Sequence, residues 1–69
     1  MTRYETYKAQ ASKGLIGSTW FNGYYSGYFD RCLGHRSVIA LNSPDAMYRS
    51  GYNHGRQDWP IDHKGYFVL

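Results

Sequence analysis

The segment Trp20-Phe21-Asn22-Gly23-Tyr24-Tyr25-Ser26-Gly27-Tyr28-Phe29-Asp30 returns in register as Tyr48-Arg49-Ser50-Gly51-Tyr52-Asn53-His54-Gly55-Arg56-Gln57-Asp58. Gly23 and Gly51 stand 28 positions apart, and at that offset an aromatic residue, a Gly-Tyr pair, a second glycine and an aspartate all recur. A fixed spacing of this kind signals one supersecondary unit used twice. The fold must therefore place two copies of one patterned segment, and whatever else the chain does is arranged around them.

Start and stop signals frame the copies as helices. Thr2-Arg3-Tyr4-Glu5 has the form of a capping box and predicts a short helix over 1–13, ending before Gly14. Ser18 reads as the cap of a second helix over 18–34, with Gly34 as its C-terminal stop. Ser43-Pro44-Asp45 reads as the start of a third over 43–59: Ser43 caps, Pro44 takes the first helical position, and Asp45 complements the positive helix end. Pro60 turns Trp59 away from helical angles and ends that helix by Asp58. Between the copies, Val38-Ile39-Ala40-Leu41 in the 35–42 linker reads as a strand or a buried connector. A tail over 60–69 turns at Gly65 and ends apolar, either folding back over the helices or docking on a partner.

Asn22-Gly23 between aromatic runs is also a hairpin signal, and tyrosine and phenylalanine favour strands. Four glycines inside two helices weaken them by roughly 0.8–1 kcal/mol each relative to alanine. The second copy favours helix, because it lacks the Asn-Gly pair and follows a helix start. The expected fold is all-α: one small domain over 1–69, built as an antiparallel helical hairpin with pseudo-twofold character, a short N-terminal helix and an extended C-terminal tail. Residues four apart share a helix face, so Gly23 with Gly27, and Gly51 with Gly55, form shallow grooves. Trp20, Tyr24, Tyr48 and Tyr52 border those grooves and fill the opposite helix's gap. These eight residues are assigned to packing.

At 69 residues the chain buries only about 60% of its unfolded surface, and a single cysteine, Cys32, supplies no disulfide. Aromatic residues make up 19% of the chain and can serve core and binding face together. The lone thiol and the lack of any long apolar run or signal-like start point to a cytoplasmic protein. Cys32, His35, His54 and His63 match no standard zinc spacing and read as a buried thiol with surface histidines. No nucleophile motif, phosphate loop or carboxylate pair is visible, so neither an enzyme nor a cofactor is expected.

The net charge of +3 is compatible with a polyanionic partner. Arg31, Arg36, Arg49 and Arg56, with His54 and the rings of Tyr25, Tyr28 and Trp59, form the candidate binding set. Cations on phosphates with rings on unstacked bases are a common way to hold RNA.

Gly23-Tyr24-x-x-Gly27 followed by Arg31, with Tyr48-x-x-Gly51-Tyr52, resembles the ribosome modulation factor family of bacteria. The likeness covers roughly residues 20–58. It implies a basic two-helix protein that binds the small ribosomal subunit near the messenger-binding end of its RNA and helps hold ribosomes in an inactive, dimeric state. This chain has Asp30 where that family tends to have a small residue, tyrosines at 48 and 52 for its tryptophans, and no Cys-Pro in the linker. The expected function is a non-enzymatic RNA- or ribosome-binding modulator of translation. The alternative is a small inhibitor or adaptor, of phage or mobile-element type, that blocks a host protein through its Tyr/Trp/Arg surface and apolar tail. A homodimer through the glycine faces is a third arrangement the sequence allows.

Overall fold

The computed structural model describes residues 2–63. Among them the chain forms α1 (Arg3–Ser12), α2 (Ser18–Leu33), α3 (Val38–Leu41) and α4 (Ala46–Asp62), with no strand. The expected capping box opens α1: the Thr2 hydroxyl accepts from the Glu5 N–H at 3.1 Å, and the Glu5 carboxylate accepts from the Thr2 N–H at 3.0 Å. Gly14 and Gly34 lie beyond α1 and α2 in left-handed conformations, with φ of 73° and 75°. Such angles suit glycine, which has no Cβ to clash there.

The two repeated helices, α2 and α4, pack along their glycine faces. A Cβ added at Gly23 would lie 2.2 Å from the Tyr48 carbonyl oxygen, and one at Gly27 would lie 2.0 Å from that of Tyr52. Reciprocally, a Cβ at Gly51 would lie 2.0 Å from the Trp20 oxygen and one at Gly55 would lie 2.1 Å from that of Tyr24. Only hydrogen fits at these four positions, and the backbones approach accordingly.

The order of these pairs corrects the expected antiparallel hairpin. Advancing one turn from Gly23 to Gly27 advances the partner carbonyl from Tyr48 to Tyr52, so α2 and α4 run parallel. The reason lies in the connection. Residues 34–45 can span about 40 Å when extended, whereas a helix of α2's length is only about 24 Å long. The linker is thus long enough to carry the chain back to the starting end, and the contacts show that it does. It passes α4 in descending order: Arg56 donates to the His35 carbonyl, the Ser37 N–H donates to the Tyr52 hydroxyl at 2.9 Å, and Arg49 donates to the Ser43 carbonyl. The pseudo-twofold expectation survives in this altered form, with its axis along the helices.

The helix starts also differ from expectation. Gly17, not Ser18, is the cap of α2, and no side chain caps that end. At α4 the cap is Asp45, whose carboxylate accepts from the Met47 and Tyr48 N–H groups at 2.9 and 3.4 Å. Ser43 instead supports the cap by accepting from the Asp45 N–H at 3.3 Å, and Pro44 precedes the helix.

Helix α4 does not stop by Asp58; it continues through Pro60 to Asp62. A proline inside a helix removes one bond and costs about 3 kcal/mol. Here tertiary contacts offset that cost, because Asp62 accepts from the Arg3 and Tyr4 N–H groups at 2.9 and 3.2 Å and from the Tyr28 hydroxyl at 2.8 Å. The last turn of α4 thus supplies acceptors to the open end of α1. Residues 60–62 belong to this helix rather than to a tail. The expected turn at Gly65 and apolar end at 66–69 lie outside the described residues.

The linker apolar run is neither strand nor buried connector. It is the helical turn α3, with Ala40 buried while Val38 and Ile39 are 67% and 86% exposed. Helix α1 crosses the opposite side of the α2–α4 pair. Tyr4 meets the rings of Phe21, Tyr24, Tyr25, Tyr28 and Phe29 edge-on at 4.9–6.4 Å. Tyr7 meets Trp20 and Tyr24 at 5.2 and 4.9 Å. Edge-to-face rings at such spacings are favourable beyond their buried area.

Candidate nucleic-acid interface

The buried side chains among the described residues are three tyrosines, Ala40 and Asp58. A tyrosine core needs acceptors for its hydroxyls, and the repeat provides them. The Tyr24 hydroxyl donates to Asp58 at 2.7 Å, and the equivalent Tyr52 hydroxyl donates to Asp30 at 2.7 Å. The aspartate that closes each copy receives the tyrosine of the other. Burial, followed by the bond to Asp58, pushes the Tyr24 phenol above its ordinary range, and burial with the bond to Asp62 does the same for Tyr28. Burial also raises Tyr52, whose hydroxyl bonds Asp30. Although burial acts to raise Asp62, the bonds from Arg3, Tyr28 and Tyr4 outweigh it and hold that carboxyl below the usual carboxylate range.

This pattern extends to every side-chain carboxylate of the chain. Asp30, Asp58 and Asp62 take tyrosine hydroxyls, Asp62 and Asp45 also take backbone N–H groups, and Glu5 takes the Thr2 N–H and hydroxyl. These are all five acidic side chains of the chain, and none of the described lysines or arginines pairs with one of them. Arg3, Lys8, Lys13, Arg31 and Arg36 are exposed, while Arg49 and Arg56 are half-buried against the linker.

The nominated residues divide between two sides of the molecule. Arg49 and Arg56 hold linker carbonyls, and the Arg56 guanidinium also lies 5.9 Å from the centre of the Tyr52 ring. Arg36 follows His35, whose carbonyl Arg56 binds, so Arg36 and Arg56 share one end of the crossover. Arg31 stands in the last turn of α2, just before it.

The nominated rings lie on the α1 side. Tyr25 is 49% exposed and packs on Phe29 at 4.8 Å. Tyr28 is buried and bonded to Asp62, so it offers no face for stacking. His54 sits among Tyr7, Trp20 and Tyr24 at 5.5–6.4 Å, and Trp59 stacks on His63 at 4.8 Å. The structure thus places Arg36 and Arg56 at one end of the crossover and Arg49 at the other, on the side away from those four residues. The packing set meets as a unit: Trp20, Tyr24, Tyr48 and Tyr52 flank the interleaved glycines, and Tyr48 reaches across to Ser26 at 3.0 Å. Because both glycine faces are buried against each other within one chain, a homodimer built on them has no surface left to use.

Two of the grooves that flank this pair have equal volumes. One, of about 530 Å³, lies between α3 and the start of α4 and is lined by Val38, Ile39, Asn42, Ser43, Pro44 and Tyr48. The other, also about 530 Å³, lies by the start of α1, with Tyr4, Phe29, Cys32, Trp59 and His63 in its walls. Sequence reasoning missed the first groove; its signal was an apolar tetrad interrupting a polar linker. Sequence reasoning also missed that the repeat extends to His35 and His63, at the same offset of 28. Tyr28 and Arg56 are equivalent positions in that frame, Tyr28 reaching the His63 ring at 3.0 Å and Arg56 the His35 carbonyl.

Cys32 is exposed rather than buried, and no group of three or more His, Cys, Asp or Glu among the described residues is placed to hold a metal ion. No helix among them is long and apolar enough to cross a membrane. Comparisons with models of known protein families, with curated proteins and with solved structures find no match. The likeness to the ribosome modulation factor family therefore rests on the motif residues alone, and the glycines and tyrosines among them form the helix–helix contact.

Proposed function

We propose that this protein binds RNA, with ribosomal RNA as the target class suggested by the motif resemblance, and modulates translation without catalysing a reaction. The observation that carries the reading is the fate of the carboxylates. Each acidic side chain is bound to hydroxyls or backbone N–H groups, and no described lysine or arginine pairs with one. A net charge of +3 on a small domain attracts polyanions and releases their counterions on binding. The crossover side, with Arg36, Arg49 and Arg56 and with Arg31 nearby, is where phosphates are expected to lie.

The test uses Arg31 and Arg36, which are exposed, rather than Arg49 and Arg56, which also tether the linker. The full chain and an Arg31→Glu/Arg36→Glu variant are used to capture partners from lysate with and without ribonuclease. Capture of RNA by the wild type and its loss in the folded variant are expected. Equal capture by both would reject the basic side as the binding surface.

A second reading, a small inhibitor or adaptor acting on a host protein, is favoured by the largely apolar groove beside Phe29, Cys32 and Trp59. It predicts a protein partner retained after ribonuclease treatment, and loss of that partner when residues 65–69 are removed.

A further inference from the structure

We propose that the groove by the start of α1 is the seat of the chain's own apolar segment 66–69, which closes over it as a strap. The proposal is independent of which partner the chain takes. Residues 64–69 lie outside the described residues, and the residue they follow, His63, is itself a wall of the groove. Six residues reach at most about 20 Å. The groove lies well within that distance, because Tyr28 meets the rings of His63, Phe29 and Tyr4 at 6.0, 5.5 and 4.9 Å.

The repeat supplies the reason to expect closure. At the same offset of 28, His63-Lys64-Gly65-Tyr66-Phe67-Val68-Leu69 reads against His35-Arg36-Ser37-Val38-Ile39-Ala40-Leu41: a histidine, a cation, a small residue and four apolar ones. In the first copy this pattern turns back along α4, past Arg56 and Tyr52, and buries Ala40. The corresponding path along α2, past Tyr28 and Tyr24, is already taken by α1 through Tyr4 and Tyr7. The groove beside the start of α1 is the nearest apolar seat that remains for the second run.

The lining of the groove departs from the repeat where such a segment would rest. Phe29 and Cys32 line it, whereas the equivalent positions of α4 hold Gln57 and Pro60. Positions 29 and 57 are both exposed, so the helix contact requires a ring at neither. Covering Phe29 and its neighbours with apolar side chains removes that surface from water. Tethering decides between occupants. A segment joined to the wall of its own groove pays little closure entropy and stands at a local concentration of roughly millimolar order, an advantage no outside apolar peptide shares.

The test is an NMR measurement on the full chain without added partner. Nuclear Overhauser cross-peaks are expected between the Val68 and Leu69 methyl groups and the rings of Phe29 and Trp59, with the methyl signals shifted upfield by those rings. Phe29→Gln, the residue that α4 carries at the equivalent place, should lose the cross-peaks to Trp59 and return the methyl signals toward their random-coil positions while helical circular dichroism is retained. Methyl signals at random-coil positions in the wild type, without cross-peaks to either ring, would overturn the strap whether or not the variant folds. Unchanged methyl shifts in a folded Phe29→Gln chain would overturn it too. Cross-peaks that persist between isotope-labelled and unlabelled copies would place the segment on a neighbouring molecule and reject the chain's own tail as the occupant.

Discussion

The Tyr24 hydroxyl donates to the Asp58 carboxylate at 2.7 Å, across from one copy of the repeat to the other. Asp58 is 3% exposed and Tyr24 is fully buried. The same bond recurs with the copies exchanged, from Tyr52 to Asp30 at 2.7 Å. Each helix thus supplies the other with a ring and with the acceptor that makes burial of a ring's hydroxyl tolerable.

Tyr24→Phe leaves the Asp58 carboxylate buried without that donor and should destabilise the fold by about 1–3 kcal/mol. Tyr24→Phe combined with Asp58→Leu removes both ends of the bond and should cost less than the sum of the single changes. Urea unfolding of all three variants measures the coupling, for which about 0.5–3 kcal/mol is expected for groups in direct contact. Strict additivity would show that the bond contributes nothing.

Gly27→Ala and Gly55→Ala should each lower stability, although alanine is the better helix former by about 1 kcal/mol. The added methyl would sit 2.0 Å and 2.1 Å from the Tyr52 and Tyr24 backbone oxygens, which cannot yield without separating the helices. Forced overpacking of this kind costs about 1–3 kcal/mol. Ser50→Ala, at an exposed position of the same helix, should be neutral or stabilising by a few tenths of a kcal/mol. Thermal midpoints of the three variants separate steric exclusion from propensity.

Stability should fall at both ends of the pH scale for different reasons. Asp62 is held below its usual range when folded, so its contribution is complete above an unfolded value of about 3.9 and is lost as pH falls through the folded value. Tyr24 and Tyr28 are raised when folded, so theirs is complete below about pH 10 and is lost as pH rises through the folded values. Asp62→Asn should flatten the acid limb and loosen α1, whose first N–H groups Asp62 accepts. Circular dichroism melts across pH, with tyrosinate absorbance at the alkaline end, read both limbs.

Much of the helical plan was legible because its signals are local. The Thr2/Glu5 box and the Gly34 stop depend on neighbours within one turn, and both form where the sequence places them. Helix direction was not legible, because nothing local to Gly23 or Gly51 records which way the partner runs; the length of the linker permits the return that the contacts reveal. The passage through Pro60 was hidden for a similar reason, since Asp62 is anchored by Arg3 and Tyr4 from the far end of the chain. Tyr28 read as a stacking surface because its acceptor, Asp62, lies 34 positions away. The inward use of the aspartates was half visible, in that the repeat conserves them between its copies without saying what they bind.

Arg56→Gln should affect stability as well as binding, because Arg56 donates to the His35 carbonyl and lies over the Tyr52 ring. A loss of about 0.5–1.5 kcal/mol is expected from the hydrogen bond. Arg36→Gln, at an exposed position, should leave stability within about 0.5 kcal/mol of the wild type. Guanidinium unfolding curves for the pair distinguish the tethering arginine from the exposed one.

The most direct measurement is the affinity of the full chain for single-stranded RNA as a function of salt concentration. With a net charge of +3 and with Arg31 and Arg36 exposed and unpaired with any carboxylate among the described residues, the exposed arginines should act on phosphates. The logarithm of the binding constant should then fall linearly with the logarithm of salt, by about 0.7 for each phosphate engaged, and more gently for Arg31→Gln/Arg36→Gln. No binding at low salt, or an affinity indifferent to salt, would contradict the account.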